Sequence, residues 1–209
     1  MSIRDHSLEH NNRGHKCDFT LEYFKREHNC KTMLDIGAGN GLNCAWATDQ
    51  HGYTATGIEI DSECTKVHDD IVIHNFVTDG VCKFDKTFDL GWSVATSEHI
   101  DELAADNYVK TFLACKWVVF TWCPPGYGGT HHVNERSQSY WIEQFHANGF
   151  EFDSSISNLI KEKSLLKMIK SPPTRILSLK IKSGSLKQVS KRYLRSWATV
   201  FHNPSINQS

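Results

Sequence analysis

Three glycines at alternate positions follow a short apolar run near the beginning of the chain. The segment MLDIGAGNGLN, residues 33–43, places Gly37, Gly39 and Gly41 between a predicted buried strand at 32–36 and a predicted helix at 41–50. Glycines at such positions let the backbone turn tightly and approach a ligand closely. The segment therefore predicts the strand–turn–helix unit of a cofactor-binding α/β fold.

Strand and helix patterns alternate along the rest of the first 150 residues. Further strands are predicted at 53–60, 71–74, 88–92, 116–122 and from residue 150, and a last one at 198–202. Helices are predicted at 19–28, 102–114, 136–148 and 156–170. Strands separated by helices indicate a parallel sheet with helices on both faces.

The regular alternation of strands and helices ends after residue 152, and the net charge of the sequence changes there as well. Residues 161–195 carry eleven Lys or Arg against one acid, a net +10, whereas the other residues carry twelve against twenty-three, a net −11. A strand at 176–182 and a helix at 185–196 are predicted there. We therefore divide the chain into a core at 1–152, a basic insertion or subdomain at 153–196, and a last strand and tail at 197–209. Such asymmetry favours an anionic partner.

The composition of the chain limits the cellular compartments in which the protein is expected to work. No apolar run approaches the roughly 18 residues that a membrane span needs, and the polar beginning of the chain lacks the apolar centre of a signal peptide. The seven cysteines contain no C-x-x-C pair, which argues against a zinc cluster or a disulfide framework. We expect a cytoplasmic protein.

Two acidic residues belong with the glycine turn. Glu59 ends the second predicted strand about 20 residues after the glycines, where a carboxylate can accept hydrogen bonds from ribose hydroxyls. Asp61 is the alternative, although it is better placed to cap the helix expected to follow. Asp35 precedes the first glycine. The pattern suits a nucleoside-containing cofactor, and a nicotinamide-dependent oxidoreductase is one of the alternatives.

The order of Asp35 and the glycines resembles motif I of class I S-adenosylmethionine-dependent methyltransferases. FDLGWSVATSEHI, residues 88–100, resembles their fourth motif, and VVFTWCPPGYGGTHHVNERSQSYWIEQF, residues 118–145, is similar to a segment of small methyltransferases from bacterial, phage and viral genomes. The resemblance covers about residues 30–152 and extends to the strand at 198–202. It implies a Rossmann-like fold with a seven-stranded, mostly parallel sheet, and S-adenosylmethionine as the cofactor.

The resemblance also implies cofactor-binding positions. Glu59 would hold the ribose, with Asp35 helping to arrange the methionine ammonium. The other positions are Gly37, Ala38 and Gly39 around the methionine part, Asn75 or Asp79 at the adenine amino group, Ile60 and Phe76 beside the adenine ring, and Ser93 near the transferred methyl group.

Histidines follow the two strands whose ends should lie beside that methyl group. His99 comes after the fourth strand, and His131 and His132 come after the fifth. A histidine titrates near neutral pH and suits the removal of a proton from an attacking hydroxyl. We expect His132, or in second place His99, to be the base, with Glu98 as the third candidate catalytic residue.

Glu98 and His99 also belong to a pattern that binds a metal ion in some methyltransferases. Some RNA 2′-O-methyltransferases and ubiquinone-pathway O-methyltransferases carry E-x-x-E-H after the fourth strand. The RNA enzymes add a downstream histidine, and together these residues bind a divalent cation. Here Glu98, His99 and His132 match that set, but Ala95 replaces the first acid. Because Mg²⁺ prefers oxygen ligands, the missing carboxylate argues against metal dependence.

These features together predict a methyltransferase that acts on a hydroxyl group of a small-molecule or glycan-like acceptor. The first alternative is an RNA methyltransferase of the 2′-O type that grips phosphates with the basic segment. The predicted helix at 156–170 could instead lie on an anionic membrane surface. A non-catalytic module that binds a partner protein is the alternative from another functional class.

Overall fold

Seven strands form one mixed sheet in the computed structural model, which describes residues 17–170 and 198–206. The strands are β1 (Thr32–Ile36), β2 (Thr54–Glu59), β3 (Ile71–Ile73), β4 (Phe88–Ser93), β5 (Cys115–Phe120), β6 (Glu151–Asp153) and β7 (Thr199–His202). All seven lie where the sequence predicts them, with ends that differ by at most two residues.

The strand order is β3-β2-β1-β4-β5-β7-β6. Strands β1 to β5 are parallel to one another, whereas β7 runs antiparallel to both β5 and β6. The predicted seven-stranded, mostly parallel Rossmann-like fold is thus confirmed. The direction of winding reverses between β1 and β4, and ligands of open α/β sheets bind in the crevice at the carboxyl ends of such strands.

The described residues form five α-helices, the first of which precedes β1 while the other four connect strands. They are α1 (Asp18–His28), α2 (Leu42–His51), α3 (Ala105–Thr111), α4 (Gln138–Ala147) and α5 (Ser154–Lys170). The continuous helix predicted at 102–114 is wrong in detail, because 3₁₀ turns at Glu102–Ala104 and Phe112–Ala114 flank α3. The tighter second turn lets Phe112 pack into the core just before the chain enters β5 at Cys115.

Buried side chains form one apolar cluster on each face of the sheet. Along β1, Met33 belongs to the cluster that also contains residues of α1, α2 and α5. Leu34 and Ile36 belong to the other cluster, which contains residues of α3 and α4. The alternation follows the two-residue period of a strand and confirms helices on both faces.

The beginning of α5 is packed against the sheet. Ile156 and Ile160 are buried in the first apolar cluster, and the N–H of Val200 donates to Ser157 Oγ at 2.8 Å. The strand predicted at 176–182 and the helix predicted at 185–196 lie outside the described residues. The division of the chain at 152 and 196 stays a prediction. Among the helices that the structure describes, none is long and apolar enough to cross a membrane.

Candidate active site

The glycine turn lies at the carboxyl end of β1, between β2 and the segment that follows β4. Gly37, Gly39 and Gly41 all have positive φ angles, of 81°, 57° and 87°. The N–H groups of Gly37 and Ala38 donate to the carbonyl of Ile58, at 3.0 and 2.9 Å. A Cβ on Gly37 would collide with the side chain of Thr96. The backbone at Gly37 therefore lies so close to its neighbours that only glycine fits there.

Glu59 reaches from the end of β2 to this turn. Its Oε2 accepts a hydrogen bond from Gly39 N–H at 2.7 Å, and its Oε1 accepts one from Asp61 N–H at 3.1 Å. Asp61 in turn accepts from Glu63 N–H at 2.9 Å and closes a turn, so the helix expected after Asp61 is wrong: residues 61–70 form turns and bends. The carboxylate of Glu59 thus lies at the edge of the crevice, where a ribose diol would meet it.

Asp35 lies beneath the turn, against α2. Its side chain is buried, and Cys44 Sγ donates to Oδ2 at 3.9 Å. Burial raises the pKa of Asp35 to about 7, against a lowering hydrogen bond with Asn43 and with a further rise from the charge of Glu59. The pKa of Asp35 should therefore change when a charged ligand binds in the crevice.

The segment after β3 closes a turn beside β2. Asn75 N–H donates to Asp79 Oδ2 at 2.9 Å, and Asp79 N–H donates to the carbonyl of Asn75 at 2.8 Å. His74 N–H donates to the carbonyl of Glu59 at 2.9 Å, which fixes this turn next to the ribose-binding candidate. Both residues proposed for the adenine amino group are thus at the crevice edge and already bonded to each other.

The apolar side chains at this edge differ in exposure. Ile60 is 52% exposed, whereas Phe76 is 8% exposed and packs its ring against His74 and Tyr108. Val77, which sequence reasoning missed, is 58% exposed. Ile60 and Val77 therefore offer more surface to an adenine ring than Phe76 does. A valine shortly after a predicted strand carries no sequence signal for such a role.

Ser93 is buried at the end of β4. Its hydroxyl donates to the carbonyl of Ile36 at 2.8 Å and is 2.6 Å from the hydroxyl of Tyr108. These contacts join the carboxyl ends of β1 and β4 below the glycine turn. The side chain supports the turn from beneath, and its proximity to a transferred methyl group stays a prediction.

The two segments that carry the candidate catalytic residues contact each other. Glu98 has a buried side chain, and its carbonyl accepts from the N–H groups of Val133 and Asn134, at 2.9 and 3.1 Å. His99 Nδ1 lies 3.1 Å from the carbonyl of His131. A carbonyl can only accept, so Nδ1 of His99 carries a proton.

His132 lies against His99 in this arrangement. The two rings meet edge to face, with centroids 5.0 Å apart. The structure thus brings together Glu98, His99 and His132, as the sequence predicts, while the backbone of His131 contributes its carbonyl. Ala95, which lacks the carboxylate of the related motif, has a φ of 59° and donates its N–H to Thr121 Oγ1 at 2.9 Å.

Two further residues of the segment after β5 join His132. Glu135 Oε1 is 2.8 Å from His132 Nδ1, and Cys123 Sγ is 3.7 Å from the same nitrogen. Desolvation by itself would raise the pKa of Glu135, but hydrogen bonds from His132 and the N–H groups of Gly128 and Gly126 hold it below the ordinary value. Burial, with the charges of Glu98 and Glu135, raises the pKa of Cys123 to about 12.

Donor atoms for a cation therefore converge in two overlapping groups. Glu98, His99 and His132 form one group, and Cys123, His132 and Glu135 form the other. The ligand atoms of each group lie within 4.8 Å of one another. Sequence reasoning missed Cys123 and Glu135, because their spacing from His132 matches no metal-binding motif.

Comparison with known proteins identifies the family. Residues 8–121 match the family model described as a methyltransferase domain. No curated protein matches the chain. A methyltransferase from Haloferax volcanii, solved with the Trm112 methyltransferase activator, is 14% identical, with a TM-score of 0.57 over 97% of this chain and 100% of that chain. DesVI from Streptomyces venezuelae is 11% identical, with a TM-score of 0.53 over 73% and 92%.

The family model covers more than half of the chain, and the solved structures share its fold. The glycine turn and the carboxylate of Glu59 lie together at the carboxyl ends of β1 and β2, as a bound nucleoside requires. The chain belongs to the class I S-adenosylmethionine-dependent methyltransferases.

Proposed function

We propose that the protein transfers the methyl group of S-adenosylmethionine to a hydroxyl group of a small-molecule or glycan-like acceptor. The observation that carries the proposal is the pair His99 and His132, whose rings meet at 5.0 Å beyond β4 and β5. A hydroxyl nucleophile needs a proton acceptor more than an amine does. Two imidazoles at the end of the crevice meet that need.

The cofactor-binding residues fit S-adenosylmethionine by their placement. Gly37, Ala38 and Gly39 wrap the methionine part, and Glu59 exchanges its backbone partners for the ribose hydroxyls. The adenine edge is bordered by Ile60, Asn75, Phe76, Val77 and Asp79. When bound, the cofactor supplies a methyl group activated by the sulfonium charge.

The chain's own contribution is alignment and proton transfer. Holding the acceptor hydroxyl in line with the methyl group contributes roughly 7 to 11 kcal/mol at best. A base contributes on the order of 10²–10⁴-fold in rate. His99 donates from Nδ1 to the carbonyl of His131, and His132 donates from Nδ1 to Glu135, so Nε2 is the nitrogen of each ring that would take the proton. Either histidine accepts the hydroxyl proton, with His132 as the first choice from sequence.

RNA is the second candidate acceptor, because the net charge of residues 161–195 is strongly positive. Of the cations in that segment, the structure describes the side chains of Lys161 and Lys163, which are half-buried on α5. A 2′-hydroxyl is also an alcohol, so the same histidines would serve it. The two candidates differ in acceptor class and are separated by the same experiment.

The test is methyl transfer from labelled S-adenosylmethionine into a cell extract, which is then divided into RNA, protein, glycan or lipid, and small-molecule fractions. We expect label in the small-molecule or glycan fraction, and its loss in Glu59→Ala and in the double variant that combines His99→Ala with His132→Ala. Glu63→Ala, an exposed acid after β2, is the matched control. Label confined to RNA would replace the acceptor proposal. No label together with no binding of S-adenosylhomocysteine would instead favour a non-catalytic partner-binding module.

A further inference from the structure

We propose that Cys123, His132 and Glu135 form a binding site for zinc beside the candidate active site. The inference concerns a second ligand and stands independently of the acceptor proposed above. Cys123 Sγ, His132 Nδ1 and Glu135 Oε1 face one another with separations of 3.7 Å for sulfur to nitrogen, 3.9 Å for sulfur to oxygen and 2.8 Å for nitrogen to oxygen.

These separations suit a tetrahedral ion. Zinc lies about 2.3 Å from sulfur and about 2.0–2.2 Å from nitrogen or oxygen, which puts tetrahedral donor atoms about 3.3–3.6 Å apart. An ion placed among the three atoms requires His132 and Glu135 to separate by about half an ångström. On binding, the thiol proton of Cys123 goes to solvent, and the imidazole proton of His132 moves from Nδ1 to Nε2.

The carboxylate is held in place by groups that do not compete for the ion. Gly126 N–H donates to Oε2 of Glu135 at 2.9 Å, and Gly128 N–H donates to Oε1 at 2.7 Å. Backbone hydrogen bonds of this kind fix the orientation of a ligating carboxylate. Gly129 lies so close to the ring of His132 that a Cβ there would collide with it. Both ligands are thus oriented before any ion arrives.

The donor set selects the ion. A thiolate and an imidazole favour zinc, whereas Mg²⁺ takes oxygen ligands. The set differs from the group of Glu98, His99 and His132, which has a second imidazole in place of the thiol, although His132 belongs to both. Three protein ligands leave a fourth tetrahedral position for water or another ligand. In the ion-bound protein His132 is a ligand, which leaves His99 as the proton acceptor of the proposed transfer.

The test uses Co²⁺ as a spectroscopic substitute for zinc in the full-length, chelator-treated protein. A thiolate ligand gives a sulfur-to-cobalt charge-transfer band in the near ultraviolet, and tetrahedral cobalt gives intense visible bands. We expect both bands to saturate at one ion per chain and to vanish when zinc is added. Histidines near the start of the chain, such as His6 and His10, can bind cobalt but produce no thiolate band.

Variants assign the ligands. We expect Cys123→Ser to lose the near-ultraviolet band, and Glu135→Gln to keep the band at saturation but to need at least about 10–100-fold more cobalt. Cys82→Ser, at a buried cysteine in the apolar cluster that contains residues of α3 and α4, is the matched control and should behave as the wild type. A band that persists in Cys123→Ser, or the absence of a band in the wild type, would overturn the site.

Binding of S-adenosylhomocysteine by the same variants serves as the folding control. Unchanged affinity shows that the fold is intact, so that loss of the cobalt band reports on the ligand alone. A failed cobalt titration with intact cofactor binding rejects the zinc site and leaves the proposed methyl transfer standing. Loss of cofactor binding in the wild type would reject the methyl transfer and leave the cobalt result to be judged by itself.

Discussion

Asp35 shows how a single buried carboxyl couples stability to pH. Its pKa rises from 3.8 to about 7 in the folded chain, mainly because burial disfavours the charged form. The folded state therefore holds a proton that the unfolded state releases between these two values. The stabilising contribution is fully present below pH 3.8 and is lost as the pH rises through about 7.

Replacing Asp35 with Asn should remove this dependence. In the absence of cofactor, we expect the free energy of unfolding of the wild type to fall from pH 5 to pH 8 relative to Asp35→Asn, by about 2–3 kcal/mol at most. Urea unfolding at the two pH values measures it. Asp49→Asn, at an exposed acid of α2, is the control and should follow the wild type. Parallel curves for the wild type and Asp35→Asn would contradict the prediction.

Ile60 allows a test of the adenine edge without a stability penalty. The side chain is 52% exposed in the absence of ligand, so Ile60→Ser should leave the free energy of unfolding almost unchanged. Covering its remaining surface with an adenine ring contributes about 1–2 kcal/mol, and we expect roughly 5- to 30-fold weaker binding of S-adenosylhomocysteine by calorimetry. Leu103→Ser, at a side chain that is 88% exposed, should bind as the wild type. Equal affinities for all three proteins would refute this placement of the adenine ring.

At the scale of elements, the glycine turn is held by the segment that follows β4. Gly37 has a φ of 81° and leaves no room for a Cβ against Thr96. Gly80, with a φ of 77°, has nothing within 4 Å of an added Cβ. The two glycines therefore share the same backbone requirement and differ in packing.

Alanine variants of Gly37 and Gly80 therefore separate the cost of backbone strain from the cost of a steric clash with Thr96. We expect Gly80→Ala to lower the free energy of unfolding by about 1–2 kcal/mol, because alanine is forced into the left-handed region. Gly37→Ala should cost about 1–3 kcal/mol more, because Thr96 must move. Denaturant unfolding of both variants gives the difference, and Thr96→Ala should recover part of it when combined with Gly37→Ala. Equal losses for the two glycine variants would mean that Thr96 imposes no constraint.

The elements were predictable because each rests on local pattern. Apolar runs of strand length, glycines at the turn and the charge at Glu59 appear in the sequence within a few residues of where they act. The split of the helix at 102–114 was not, because it depends on how Phe112 meets the sheet. Likewise, Cys123 and Glu135 meet His132 only through the conformation of residues 124–134, where His131 has a φ of 58°.

At the scale of the whole molecule, the two ends of the parallel strands have different roles. The carboxyl ends carry the glycine turn and the histidines, whereas Asp89 links neighbouring strands at their amino ends. Its Oδ2 accepts from the N–H groups of Lys31 and Thr32, at 2.8 and 3.0 Å, and its Oδ1 is 3.2 Å from Lys116 Nζ. Partial burial alone would raise the pKa of Asp89, but these hydrogen bonds hold it below the ordinary value.

Asp89→Asn should therefore weaken the fold and spare the site. We expect a loss of about 1–3 kcal/mol in the free energy of unfolding near neutral pH, because the charge that joins β1, β4 and β5 is removed. The loss should shrink as the pH falls below the ordinary carboxyl range, since the wild type then loses the same charge. Affinity for S-adenosylhomocysteine should stay unchanged. Asp85→Asn, at an exposed acid nearby, is the control for both measurements, and a coupled loss of affinity would contradict the separation of tasks.

The place of β7 has a consequence for how the chain is made on the ribosome. Residues 199–202 fill the gap between β5 and β6, which are synthesised much earlier. Until residue 202 leaves the exit tunnel, the nascent chain carries β5 with one edge unpaired and β6 without its neighbour. Open strand edges are templates for intermolecular pairing. While the ribosome translates the basic segment, the nascent protein therefore escapes aggregation only if intermolecular pairing is slower than translation or if a chaperone covers the open strands.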